Sequence, residues 1–467
     1  IAPRGLGMRP LTRIQVGILL LAGSLLAGFV AGEPADCRMA RQVATRQLQR
    51  LDPAGTHRLG PAGELSDDPG GDRLAWIFAL EPCGYIVVTA DTELPPVIAY
   101  SLDTAAESGP APVNPLLALL RADLHRRKES LPLLAEEQRQ TRRQSWTAFL
   151  DSTLDPAARG GFQQWPPAGT TPTGGWLAEN WTQNAPYNDL CPTDPVAGGR
   201  SLAGCPAVAM AAILHYLETT HDTAFDDADD YYHNYAGRQY WIDDAHAARG
   251  FPSWTELTGY LATLQSRYEA HEPPTDTDKA ALVFACGAAA RQVFTASGSG
   301  TFGVDQAHQA WLRFGFTGVS LLTADDSDLL PRLAQNMKDA HPAHLAVVTP
   351  AWDAGHNLVV DGYNTDQFFH CNFGWGGAYN GWYLLPDGLP YNLTVIEGVI
   401  LDITPPAVPG DLNEDGCCDS LDCLILAHYL SGSIAQGEGG FTAPAIRGDL
   451  SGDGLVRVID LVLMQLP

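Results

Sequence analysis

Basic charge is what this chain has least of. Its 467 residues hold 28 Lys and Arg against 54 Asp and Glu, a formal net charge of −26. A nucleic-acid partner calls for clustered cations, so the balance argues against that class and favours a soluble acidic exterior or bound cations. Charged residues total only 18%, so the imbalance reflects scarce bases more than abundant acids. An even cysteine count is also lacking: there are nine, so at least one thiol is free or paired with another chain. Long apolar runs are confined to one place, Val16–Val30, which excludes a membrane domain elsewhere. What is present in quantity is apolar residue, 45%, enough for large cores in several domains.

The one apolar run reads as an export signal. Met8 is the expected start, Arg9 and Arg13 supply a basic region, and Val30-Ala31-Gly32 precede a cut at Glu33. Residues 1–32 are therefore expected to be a signal peptide. A retained anchor is the alternative, although the run is about 15 residues where a membrane span needs about 20. No Cys follows directly, which argues against a lipid anchor.

Residues 33–150 read as one unit. A helix is expected over Met39–Leu51 and two strands over Arg73–Leu80 and Gly84–Ala90, joined by a turn at Glu81-Pro82-Cys83-Gly84. An extended segment at Pro95–Ser101 and a helix at Asn114–Arg127 follow. No catalytic set is visible here. The boundary falls in Gln138–Gly175, expected to be exposed, with the linker proper over 151–175; such segments are favoured sites of proteolysis. A folded module before an exposed linker has the layout of a propeptide, with an accessory domain as the alternative.

The central unit, 176–404, holds the chemistry. Gly204-Cys205-Pro206 opens an almost wholly apolar run to Leu214. Proline suits the first turn of a helix, so Cys205 is placed at the N-terminus of a buried helix, where the dipole favours thiolate. A thiolate so held is a nucleophile; a buried, inert cysteine is the alternative. Further helices are expected at Trp254–Tyr268, Ala280–Phe294 and Leu329–Asp339, with Asp222–Gly250 on the surface and a strand at His344–Thr349. Gly355–Tyr363 and Gln367–Asn372 form a hairpin, which brings His356 near Asn372, the base and orienter of a cysteine protease. His370 competes, since it shares the face of Asn372.

These residues together carry a resemblance. Cys205 in its Gly-Cys helix, Gly355-His356, the Val-Asp-Gly-Tyr strand and the Phe-His-x-Asn-x-Gly-Trp-Gly-Gly block resemble the streptopain family of secreted bacterial cysteine proteases. The Trp181-Thr-Gln183 loop is similar to the start of that family's mature enzyme, and 84–100 to the end of its propeptide. The resemblance spans roughly residues 70–400. It implies an α+β chain: a papain-like domain, with a helical half against a twisted antiparallel sheet, preceded by an α+β propeptide that acts as inhibitor. Cys205 would be nucleophile, His356 base, Asn372 orienter, Gln183 oxyanion donor, and Trp375 a shield for the His–Asn bond. Phe373 stands where the family commonly has Trp, and Pro206 where Val is usual.

The tail begins after a Pro-rich linker at 405–410. Asp411, Asn413, Asp415, Asp419 and Asp422 occupy positions 1, 3, 5, 9 and 12 of a loop with Gly416 at 6, the spacing of an EF-hand calcium loop. Cys417 would add a backbone carbonyl at the seventh position. The pattern recurs at Asp449, Ser451, Asp453, Leu455 (backbone) and Asp460, with Arg457 where the ninth ligand would be. The duplicated loop and helix over 411–467 resemble a type I dockerin, a small all-α module, which implies two structural calcium ions and a cohesin-like partner. Cys417, Cys418 and Cys423 lack the spacing of a zinc site.

The expected protein is thus a secreted endopeptidase acting on proteins or peptides, made as a zymogen and tethered by a calcium-dependent module, with no catalytic cofactor and no membrane contact after signal cleavage. A catalytically silent docking protein on the same scaffold is the alternative.

Overall fold

The computed structural model describes residues 34–66, 72–104, 162–385 and 395–404 throughout, and parts of 120–151 and 410–461. The segment expected to be a signal peptide, 1–32, lies outside the described residues. Helix α1 (Cys37–Leu51) is capped by Asp36, whose Oδ1 accepts the Met39 N–H at 2.7 Å. Four antiparallel strands follow: β1 (Arg58–Ser66), β2 (Arg73–Glu81), β3 (Tyr85–Thr89) and β4 (Val97–Ser101). The unbroken apolar run of β3 has a simple cause. Tyr85 and Val87 enter one core, Ile86 and Val88 another, so both sheet faces are covered.

Helix α2 (Glu136–Leu150) occupies the first part of the stretch expected to be exposed. It packs against α1 because Trp146 is buried, its indole N–H donating to Leu94 O at 2.8 Å. The later part is also held. Strand β5 (Gln164–Trp165) pairs with the central hairpin, and the Trp176 N–H donates to Asp361 O at 2.7 Å.

The next half begins with α3 (Cys205–Tyr216), buried from Pro206 through Leu214. Around it lie α4 (Trp254–Glu269), α5 (Asp276–Ala289) and α6 (Val304–Arg313). Ser253 with Glu256, and Thr275 with Asp278, form capping boxes that fix the starts of α4 and α5. Within Asp222–Gly250, a hairpin of Tyr232–Tyr235 and Arg238–Trp241 exposes Tyr232 and Trp241, yet buries His233 under the Phe294 N–H.

Then come β6 (Ser320–Leu322), α7 (Leu329–Lys338), β7 (Ala343–Val348), β8 (Gly355–Asn364), β9 (Phe369–Asn372), β10 (Gly381–Tyr383) and β11 (Val395–Leu401). One sheet runs β1-β2-β3-β4-β10-β9-β8-β7-β11-β6, with β5 against β8. The strands before residue 104 therefore continue those after 320, through pairing of Tyr100 with Trp382 and Ala99 with Tyr383. No helix among the described residues is long and apolar enough to cross a membrane.

In the tail, α8 (Ser420–Leu430) buries Ile425 and Leu426 with Leu412, and Tyr429, Leu430, Val456 and Leu461 pack on this small core.

Candidate active site

Cys205 is the first residue of α3. Gly204 before it has φ +88°, and a Cβ there would lie 2.5 Å from Gln292 Oε1, so glycine is required on both counts. Gln292 also donates from Nε2 to Ala203 O at 2.7 Å, which fixes the chain as it enters the helix. No side chain caps this end, so its orphan N–H groups remain available to an anion. Cys205 as a residue is half-buried, and all seven cysteines that can be described are free. Burial pushes the Cys205 thiol above its ordinary value, while N–H groups of Asn357 and of Cys205 itself pull it back.

His356 is the second residue of β8, the strand packed along α3. Its Nε2–H donates to the carbonyl of Phe373 at 2.8 Å, leaving Nδ1 as the lone-pair nitrogen. The Trp375 ring lies over the imidazole, 4.2 Å away and tilted 29°. That placement depends on glycine: Gly374, Gly376 and Gly377 all have positive φ, and a Cβ at Gly377 would meet Asn180 Nδ2 at 2.8 Å. Burial pushes the imidazole down to about 4. No hydrogen bond joins Cys205 to His356, and burial favours the neutral form of each.

Asn372 does not hold His356 in this structure. Its Nδ2 reaches Glu179 O at 3.5 Å and its Oδ1 accepts the Gly374 N–H at 3.2 Å. The reason is a bulge at Asp361: Gly362 pairs with His370, but Val360 pairs with Cys371 and Val359 with Asn372. One extra residue shifts the register and moves Asn372 to the opposite face from His356. The orienting acceptor is the neighbouring Phe373 carbonyl, set in turn by Asn380, whose Oδ1 accepts the Phe373 N–H at 2.9 Å and whose Nδ2 donates to Asn180 Oδ1 at 2.9 Å.

Gln183 is held beside the segment that leads into α3, its carbonyl accepting the Ala203 N–H at 2.9 Å. Its loop is tied to the glycine-rich turn, since the Gly376 N–H donates to Trp181 O at 2.7 Å. The competitor His370 has a different partner: its Nδ1 lies 2.6 Å from Asp361 Oδ1, and both residues are buried.

Sequence reasoning missed Asn180 and Asn380, and did not single out Asp361 as the partner of His370. The asparagines carry no signal of their own in a polar loop.

Of the expected calcium ligands, only Asp422 is among the described residues. It is buried, and its Oδ1 accepts the Leu412 N–H at 2.7 Å, which closes the loop end onto the loop start. Asp411, Asn413, Asp415, Cys417, Asp419, Asp449, Ser451, Asp453, Leu455 and Asp460 lie outside the described residues. Among the residues described, no cluster of three His, Cys, Asp or Glu could hold a metal.

Residues 181–383 match the model of the Peptidase C10 family. The chain is 26% identical over 377 residues to the thiol protease/hemagglutinin PrtT of Porphyromonas gingivalis, covering 78% of this chain and 40% of that protein. It thus spans less than half the length of that relative. Among solved structures, a prointerpain A fragment of Prevotella intermedia aligns at 20% identity and TM-score 0.45, over 74% of this chain and 98% of that one. Active interpain A cysteine protease from the same organism aligns at 26% identity and TM-score 0.36, over 49% of this chain and 93% of that one.

Proposed function

We propose that the chain is a cysteine endopeptidase made as a zymogen. The observation that carries this reading is Cys205 at an uncapped helix start, beside the strand that bears His356 with its Nε2–H on a carbonyl and its ring under Trp375. His356 Nδ1 takes the Cys205 proton, and the thiolate attacks the scissile carbonyl carbon. The developing oxyanion is met by the Cys205 N–H and by Gln183. The C–N bond breaks as His356 returns the proton to the leaving amine, and water then hydrolyses the thioester on Cys205. Trp375 keeps water from the bond that orients the imidazole. Phe373 supplies the orienting acceptor through its backbone, so the role first expected of Asn372 does not need an amide side chain.

The N-terminal unit is the inhibitory propeptide. It supports this role by continuing the sheet through β4 and β10, and by reaching the glycine-rich turn, where the Thr104 hydroxyl contacts Gly377 O at 3.5 Å. The neutral thiol and imidazole fit a latent state. We further read the protein as secreted from a bacterium, and the tail as a dockerin-like module that holds two calcium ions and binds a cohesin-like partner. Asp422, turned back onto the loop start, supports closure of the first loop.

The test is covalent labelling of processed protein, under reducing conditions, by iodoacetamide or an epoxide inhibitor. Modification is expected at Cys205; a processed protein that labels elsewhere but not there would sink the enzyme reading. Cys205→Ala should abolish self-processing and leave calcium binding by the tail intact.

A further inference from the structure

The helix that begins at Cys205 ends beside a cavity, and that end has no part in the mechanism above. The cavity holds about 250 Å³. Residues 176–181 form one wall, and the last turns of α3 with Glu218 form the other. Its chemistry comes from Trp176, Trp181, His215 and Tyr216, which bring rings, and from Glu179 and Glu218, which bring carboxylates.

The polar tips of the ring residues are already engaged. The Trp176 indole N–H donates to Met337 O at 2.8 Å, and the Tyr216 hydroxyl donates to Ala340 O at 2.9 Å. His215 has Nδ1 3.1 Å from the Tyr268 hydroxyl and Nε2 3.7 Å from Glu179 Oε1. Burial pushes its imidazole below the ordinary value, against the pull of Glu179, so the ring adds no positive charge at neutral pH. What these residues leave for a guest is ring surface, and the negative face of an aromatic ring attracts cations.

The carboxylates add charge of the same sense. Glu179 is matched by Lys279, whose Nζ lies 2.5 Å from Oε2. Glu218 is exposed and has no Lys or Arg partner among the described residues. Its ion-pair partner is the exposed His271 at 3.8 Å, which carries charge only when protonated. Glu179, Glu218 and Lys279 together leave one negative charge, beside the C-terminal end of α3, where the helix dipole also favours a cation. The fold uses this preference once already: Lys279 Nζ stands 5.8 Å from the centre of the Trp181 ring.

We propose that the cavity binds a small organic cation of the alkylammonium class, held by the rings of Trp176 and Tyr216 with Glu218 as counter-charge. A metal ion would need several oxygen ligands, and no group of three possible metal ligands occurs among the described residues. A volume of about 250 Å³ falls just below the usual range for drug-sized ligands, which fits a guest of one small head group. The inference does not depend on Cys205 being a nucleophile.

The experiment titrates the full chain with choline chloride by isothermal calorimetry. The neutral alcohol in which carbon replaces the choline nitrogen is the isostere, and potassium chloride is the ionic-strength control. Choline is expected to bind at one site, and the isostere about tenfold more weakly. Trp176→Leu removes a ring face but keeps apolar bulk, and should weaken choline binding about tenfold. Glu218→Gln should weaken it about threefold and leave the isostere unchanged. Glu218 is exposed, so its variant gives an answer even if Trp176→Leu does not fold. Equal binding of choline and the isostere overturns the cationic reading, since only an apolar cavity would remain. Absence of choline binding, or binding unchanged in both variants, overturns the site itself. Choline bound as expected by a chain whose Cys205 resists labelling leaves this site standing while the enzyme reading falls.

Discussion

The two ends of the chain relate to its middle in opposite ways. The N-terminal unit shares a sheet with the central domain, and one apolar core holds Leu65, Tyr85, Val87 and Ile98 together with Leu345, Val360, Phe373 and Tyr383. Polar ties cross the same junction: Asn364 Nδ2 donates to the Tyr100 hydroxyl at 2.7 Å, and Arg50 pairs with Asp366 at 2.6 Å. The tail instead closes on itself around Leu412, Ile425 and Leu426. A segment that completes another's core unfolds with it, whereas one with its own small core can open alone. The difference fits the proposal of an inhibitory N-terminal unit folded into the central domain and of a tail that is merely carried.

Acid should strain this contrast most. His344 and His356 are both buried, and both are pushed down to about 4 from 6.5. Their neutral forms are favoured by folding, so the stability they permit is full above pH 6.5 and is lost as pH falls toward 4. Each contributes roughly 3 kcal/mol to that loss. All eleven Trp precede residue 405, so Trp fluorescence reports the shared body alone. Its urea midpoint should drop between pH 6.5 and 4, and a flat midpoint would contradict the burial of both rings.

Tyr100→Ala comes next, since its ring stacks on Trp382 across the junction. A loss of about 3–5 kcal/mol is expected in the same fluorescence transition. Leu426→Ala should leave that transition unmoved. If both substitutions shift it, the tail is not autonomous.

Gly204→Ala is expected to cost about 1–3 kcal/mol, from the positive φ and the crowding of Gln292. It should also slow alkylation of Cys205, which peptide mapping would show. A chelator should have the smallest effect on the body: it is expected to loosen the tail, as seen by faster proteolysis after residue 404, while a chain ending near Thr404 keeps its peptidase activity. Loss of activity there would break the modular picture.

Much of this was legible beforehand. The apolar run after Cys205 and the hairpin of β8 and β9 have the periodicities of one buried helix and two covered strands, and the structure puts both where the pattern predicts. The four-residue turn at Glu81–Gly84 was likewise readable from its Pro and Gly. What could not be read is long-range. Pairing of β4 with β10 joins residues nearly three hundred apart, and period-2 patterning does not say which edge a strand will meet. The packing of α2 was hidden because its polar face dominates the composition, while Trp146 and Leu150 do the anchoring. The partner of His356 was missed for a local reason, the bulge at Asp361. The strand is buried on both faces around the bulge, so apolar patterning does not mark the extra residue.

Two cysteines among the described residues open helices, and they make an internal control. Cys37 is the first residue of α1 and Cys205 the first of α3. In α1 the residue before the thiol is Asp36, whose carboxylate already accepts the Met39 N–H of the first turn. In α3 the residue before it is Gly204, which brings no anion at all. Position and residue type are thus matched, and the preceding side chain differs. A competition between the two thiols for one electrophile, within a single molecule, would read out what a vacant helix start is worth to sulfur.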